Sequence, residues 1–523
     1  MFKNSKLIIL IIILIIAAFF RLYNIADLPP GLYPDEAMNG NNALEAISKL
    51  PSLEGFKIFY PENNGREGLF MNIQAVFLKI LMPFFGDSPE PWMLRLPSAI
   101  FGILTVLGVY FLSKELFNKN VALLSSFFLA TSFWHINFSR IGFRAIMAPF
   151  FLVWAVYFLL VSFKKTSSLN SKFYILNSII GGLFFGLGFY SYIAYRVMPL
   201  LIAVIFFYYF YQNREFAKKL WAAISIYVIA AFIAALPIGI YFLKNPADFF
   251  GRTIQISVGV SQSPIKDLAI NAVKTLGMFN FIGDGNWRHN IANAPELFPV
   301  VGILFIIGII IAVKSLIQNS KIKNQNDNSK LENETNLNLG FWTLFSWFIL
   351  AMLPVVISNE GIPHALRSIL LIPPAVIFAG VGGVWLIEKI KNQKSKIKIT
   401  IQNSKVLNFA TYTLLFVIIV LFVFQAYYAY FIQWGKNSNV QGAFAADYVQ
   451  IGKELNALPK ELPKYVLVQA GGVNVRGIPM PAQTVMFITD TFTFEKQIAK
   501  NIFYVLPDKF NQIPKNAYTV VIK

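Results

Sequence analysis

Two adjacent carboxylates, Asp35 and Glu36, follow Tyr33-Pro34 a short turn beyond an unbroken apolar run from Leu7 to Phe20. A carboxylate set against an apolar membrane surface has its pKa raised by desolvation, which suits it to accept a proton near neutrality. The pair therefore suggests proton-transfer chemistry at a bilayer surface; the plain alternative is an ordinary acidic loop. Further along the same stretch stands Asn63-Asn64-Gly65-Arg66-Glu67-Gly68, which adds Arg66 and Glu67 as candidates. Three later clusters share this polar, glycine-containing character: Phe138-Ser139-Arg140-Ile141-Gly142-Phe143-Arg144, Gly283-Asp284-Gly285-Asn286-Trp287-Arg288-His289-Asn290, and Asn359-Glu360-Gly361-Ile362-Pro363-His364-Ala365-Leu366-Arg367.

The elements that must position these residues are membrane helices. Of 523 residues, 56% are hydrophobic and only 14% charged, which excludes an ordinary soluble enzyme and indicates an all-α polytopic membrane protein. The net charge of +19 does not mean nucleic acid, because most lysines fall in short connections between apolar runs. With no cysteine there is neither disulfide nor thiol chemistry. The first apolar run lacks a small-residue cleavage site and is expected to be a retained helix rather than a signal peptide.

A span needs roughly 20 apolar residues. About eleven are expected, near 6–22, 94–113, 121–137, 147–163, 174–190, 197–212, 220–243, 297–314, 340–358, 367–388 and 407–431. Leu69 to Phe85 is interrupted by Asn72, Gln74 and Lys79, and counting it as a span would put the lysine-rich loops outside. It is expected to lie in the outer interface. The N-terminus is then cytoplasmic, and the long loops 23–93 and 244–296 are extracytoplasmic. Residues 1–436 form the membrane region. Residues 437–523 form a small outer α/β domain, with a helix at Asn439–Leu455 and strands at Tyr465–Val468, Thr484–Ile488, Ile502–Leu506 and Tyr518–Ile522. Linkers 318–336 and 391–405 are Asn/Gln/Lys/Ser-rich spacers.

On this topology ten of the eleven arginines lie on the outer side and only Arg214 lies inside. The positive-inside rule treats Lys and Arg alike, so it does not explain the sorting. The planar guanidinium fork binds phosphate bidentately where lysine offers a point charge. Arg140, Arg144, Arg288 and Arg367 are thus candidates for holding an anion, against a plainer reading of arginines snorkelling at span ends. All three histidines, His135, His289 and His364, are also outside. With an aspartate they could form a zinc site, but no metal-motif spacing is present, so the metal stays unknown and a divalent cation stays open.

The Asp-Glu pair after the first span, the Ser-Arg loop, and Glu90-Pro91-Trp92-Met93-Leu94-Arg95-Leu96-Pro97-Ser98 together resemble the GT-C membrane glycosyltransferases. The similarity is to the glycosyltransferase family 39 branch of protein O-mannosyltransferases and aminoarabinose transferases, over about residues 1–430. The resemblance implies transfer of a sugar from a polyprenyl-phosphate donor to a protein, lipid or glycan acceptor at the outer face. It also implies Asp35 as the catalytic acid of the first loop and Glu36 as its neighbour. One departure is Ala145, where relatives often carry an acid. Rival functions are a lipid-linked glycan flippase, which would favour ionisable residues at the membrane midplane, and an O-antigen-ligase type of enzyme.

The topology has a direct check. Cysteines introduced at Ser320 and Ser438 should label from opposite faces of intact cells; labelling from one face would overturn the arrangement.

Overall fold

The computed structural model describes residues 5–86, 88–166, 171–255, 263–321, 328–358, 361–396 and 404–523. Asn359, Glu360, the linker segments 322–327 and 397–403, and the side chain of Arg252 lie outside the described residues. In chain order the helices of the membrane region are α1 (Ser5–Leu22), α2 (Pro34–Ser48), α3 (Leu69–Phe85), α4 (Pro91–Leu116), α5 (Lys119–Thr131), α6 (Phe133–Phe138), α7 (Met147–Lys165), α8 (Ser171–Gly188), α9 (Pro199–Gln212), α10 (Ala217–Lys244), α11 (Pro246–Gln255), α12 (Pro264–Gly277), α13 (Pro299–Lys321), α14 (Asn328–Val356), α15 (Ile372–Lys396) and α16 (Ser404–Tyr427). A short hairpin, β1 (Phe59–Tyr60) with β2 (Arg66–Glu67), sits between α2 and α3.

Among the described residues eight helices are long and apolar enough to cross a membrane, and the segments Leu69–Phe85 and Lys172–Gly188 are shorter apolar helices. The expected span 121–137 is a correction, because it is two helices. α5 stops at Thr131, and Ser132 turns extended and caps α6 by accepting from the His135 N–H. Serine competes for backbone donors in this way, and an apolar-run reading does not register it. The last apolar run ends in a π-helical turn, Tyr428–Trp434. Glycines of α8 and α13 let neighbours approach: a Cβ at Gly182 would strike the Tyr227 carbonyl of α10, and one at Gly308 the Phe378 carbonyl of α15.

The C-terminal region carries α17 (Ser438–Ala443), α18 (Ala446–Ala457), β3 (Lys464–Val468), β4 (Asn474–Val475), β5 (Ile478–Pro479), α19 (Ala482–Thr489), α20 (Phe494–Lys500), β6 (Ile502–Val505) and β7 (Tyr518–Ile522). β3 lies between β6 and β7 and is parallel to both, while β4 and β5 make an antiparallel hairpin. The expected helix Asn439–Leu455 is broken at Ala445, whose φ is +50°. The expected strand Thr484–Ile488 is instead the helix α19, and every one of its residues is buried. A short run that is apolar on all sides shows no period, so burial decides its conformation. α19 packs on α2. Met38 of α2 joins the core of Val466, Val468 and Val485, and Phe487 of α19 joins Leu44 and Leu94.

α2 is anchored at its other end by charge. Glu36 is fully buried: its Oε2 accepts from Arg95 Nε of α4 at 3.1 Å and from the Gly142 N–H at 2.9 Å. Arg95, also fully buried, spends its remaining donors on the Pro29 and Gly31 carbonyls, both at 2.7 Å. Removing one partner of such a pair strands the other in a dry interior. Arg95→Met is therefore expected to cost about 3–5 kcal/mol, read as a lowered unfolding midpoint in detergent. Adding Glu36→Gln should restore part of it, and an Arg95→Met protein as stable as the parent would show that the loop is held otherwise.

Candidate active site

Pro34 occupies the first turn of α2, and Tyr33 before it is extended, so Asp35 and Glu36 fall in that turn. Proline is preorganised there, and carboxylates are favoured by the unpaired N–H groups of a helix start. The two acids then part. Glu36 turns inward to Arg95, whereas Asp35 is half-buried and its Oδ1 accepts from Asn63 Nδ2 at 2.8 Å. Asn63, Asn64 and Gly65 all have positive φ, so the turn between β1 and β2 is a left-handed run that asparagine and glycine tolerate.

One basic group stands near Asp35 and another near the preceding Tyr33. On the hairpin side, Arg66 is buried and donates to Asn39 at 2.5 Å and Asn42 at 2.7 Å. Burial, with repulsion from Arg144, brings it down to about 10 although Asp35 pulls the other way. Glu67 is held from both ends, by Arg144 Nε at 2.7 Å and Arg196 Nη2 at 3.6 Å. Glu67 is thus a strut between two guanidiniums, with Arg144 its nearer partner.

Arg288 lies over the Tyr33 ring, 3.7 Å from its centroid, and burial brings it down to about 10. Asn137 of α6 fixes this segment by donating to the Arg288 and His289 carbonyls. Among the described residues no carboxylate pairs with Arg288. Arg367 is buried and donates to the Ser358 hydroxyl.

Arg140 needs a correction as an anion ligand. Its guanidinium is buried, donates to the Phe20, Asn24 and Leu28 carbonyls at 2.8–3.0 Å, and is covered by Tyr430 and Phe431. It closes the C-terminal end of the first helix, where carbonyls lack helical partners. His135 is corrected likewise: its Nδ1 lies 2.6 Å from Arg21 Nη2, inside the helix packing and away from the other histidines.

Those two do converge. Asp284 Oδ2 lies 2.8 Å from His289 Nδ1 and 3.8 Å from His364 Nδ1, and one ligand atom from each of the three falls within 4.8 Å of the others. Burial lowers both histidines, so their imidazoles are neutral near pH 7. Burial resists the charged form of Asp284, but hydrogen bonds from His289 and the Asn286 N–H hold it below the usual range. Two neutral imidazoles and an ionised carboxylate, with no fourth ligand side chain among the described residues, match a divalent-cation site. Behind it Glu296, pushed well up by burial, accepts from the Asp284 N–H and Asn290. Asp284 and Asn63 stood inside the quoted loop strings without a role of their own; spacing could not find them, because they bond partners 81 and 28 residues away.

With the geometry described, known proteins can be compared. Residues 73–241 match the family of dolichyl-phosphate-mannose-protein mannosyltransferases. YkcB of Bacillus subtilis (strain 168), provisionally named a mannosyltransferase, is 25% identical over 237 residues, 44% of this chain and 30% of that protein. The apo oligosaccharyltransferase of Archaeoglobus fulgidus superposes with a TM-score of 0.55 at 14% identity, over 98% of this chain and 66% of that one. ArnT from Cupriavidus metallidurans, bound to undecaprenyl phosphate, gives 0.53 at 13% identity over 99% and 93%. The fold is GT-C. The chain spans less than two thirds of the archaeal enzyme and less than a third of YkcB, and the family match begins downstream of Asp35.

The trio has its own test. Zn2+ or Mn2+ added to chelator-treated, full-length protein should raise its unfolding midpoint, and His289→Ala with His364→Ala should remove the rise. A midpoint that no divalent ion moves would make the trio a hydrogen-bonded latch between two outer loops.

Proposed function

We propose that this chain transfers a sugar from a polyprenyl-phosphate donor to an acceptor hydroxyl at the outer membrane face, with Asp35 as general base. The observation that carries the reading is the contrast within the acid pair. Glu36 is consumed by Arg95, while Asp35 is half-buried with one oxygen fixed by Asn63, and Arg288 lies against the neighbouring Tyr33 with no carboxylate partner among the described residues. The family match and the undecaprenyl phosphate bound to ArnT support the donor class.

In this mechanism Asp35 takes the acceptor's proton as its oxygen bonds to the sugar's anomeric carbon. The bond from that carbon to the phosphate oxygen breaks, and the polyprenyl phosphate leaves with the electron pair. Direct displacement inverts the anomeric centre. Arg288 and Arg367 offset the charge gathering on the phosphate, a low-dielectric contribution that needs no reorganisation. A divalent ion held by Asp284, His289 and His364 would supply Lewis-acid stabilisation of the same phosphate. Arg140, Arg144 and Arg66 position loops rather than bind donor. A cleft of about 590 Å³ passes Tyr33 and Pro34 on one side and Gln441, Asp447 and Tyr448 on the other, and gives the acceptor an approach.

Asp35→Asn is nearly isosteric and removes the base. Release of undecaprenyl phosphate from undecaprenyl-phosphate mannose should fall by roughly 100-fold or more while undecaprenyl phosphate still binds. Arg288→Lys should do the reverse, weakening lipid-phosphate binding because the fork is lost. An Asp35→Asn protein with ordinary turnover would place the base elsewhere.

A further inference from the structure

The hairpin of β4 and β5 in the C-terminal region turns through Arg476 and Gly477, with φ of +51° and +88°. Both central residues of such a two-residue turn need positive φ, and asparagine or glycine is the usual first choice. An arginine held there has a conformational cost that its side chain must offset. That side chain leaves its own region. Its guanidinium rests 4.3 Å from the centroid of Phe492, and Nη2 reaches Glu45 Oε2 at 2.8 Å and Glu62 Oε1 at 3.2 Å.

The two acids it grips carry the two halves of one hydrogen bond. Glu45 is on α2, the helix whose first turn holds Asp35; Glu62 immediately precedes Asn63, which donates to Asp35. Arg66 ties the same pieces from beneath, through the Glu62 carbonyl and through Asn39 and Asn42 of α2. The turn Asn63-Asn64-Gly65 is therefore pinned from the C-terminal region above and from α2 below. Both of its asparagines are in the left-handed conformation, so little of its own backbone preference keeps it in place.

We infer that Arg476 and Asn63 are positioning residues for Asp35: the C-terminal region holds the hairpin turn through Arg476, and the turn orients the carboxylate through Asn63. The inference rests on Asp35 as base. It gives the C-terminal hairpin a specific task, which is to set the direction of the Asp35 oxygen that Asn63 leaves unbonded.

Asn63→Gly and Arg476→Gly keep the left-handed backbone while deleting the amide and the guanidinium, so neither adds strain. In full-length protein each should lower turnover of undecaprenyl-phosphate mannose by about tenfold, the scale of a small misplacement of a reacting group. Binding of undecaprenyl phosphate should be unchanged. Amide exchange across residues 59–67 should rise in Arg476→Gly. The double variant should lose no more than the worse single one, because both act on one contact. Turnover within twofold of the parent in both single variants, with Asp35→Asn inactive, overturns the relay and leaves the base intact. Losses that multiply in the double variant, or that fall on lipid-phosphate binding, also overturn it. An active Asp35→Asn removes the base and the relay together.

Discussion

The buried pair of Glu36 and Arg95 is the constraint on which the loops around Asp35 depend. Burying two charges is costly, and the cost is met here because every partner needed is present: Arg95 reaches the carboxylate and two backbone carbonyls, and Glu36 also receives the Gly142 N–H. Four segments meet at that point, namely the turn after α1, the start of α2, α4 and the loop after α6. Pairing sets the direction of α2, and direction decides that Asp35, one residue earlier on the helix, faces the other way.

Arginine sorting to one face has the same physical root. A guanidinium has five donors in a rigid fork, so it can close several backbone carbonyls at once where spans end and water is scarce. Arg95, Arg140 and Arg21 do this. Arg144 and Arg196 hold Glu67, and Arg476 holds Glu45 and Glu62. The asymmetry is mostly architecture, and among the described residues Arg288 has no carboxylate partner. The same economy joins two of the loops: Asp284 accepts from His289 within its own loop and from the Ala365 N–H of the next.

Much of this was legible in the sequence. Long apolar runs determine membrane helices because an unpaired backbone cannot cross hydrocarbon, and the acid pair after the first run was visible as a chemical candidate. So were the short strands at Tyr465, Ile502 and Tyr518, whose branched and aromatic residues favour a sheet. Tertiary structure alone decided the rest. It broke the run at Ser132, made Thr484–Ile488 a buried helix, and drew His289 and His364 to Asp284 while sending His135 to Arg21. It also turned Arg140 from anion ligand to helix clasp. Apart from the local Ser132 cap and the His289–Asp284 contact, those outcomes depend on partners distant in the chain, and composition and spacing record what a side chain can bond to, not which partner packing brings close.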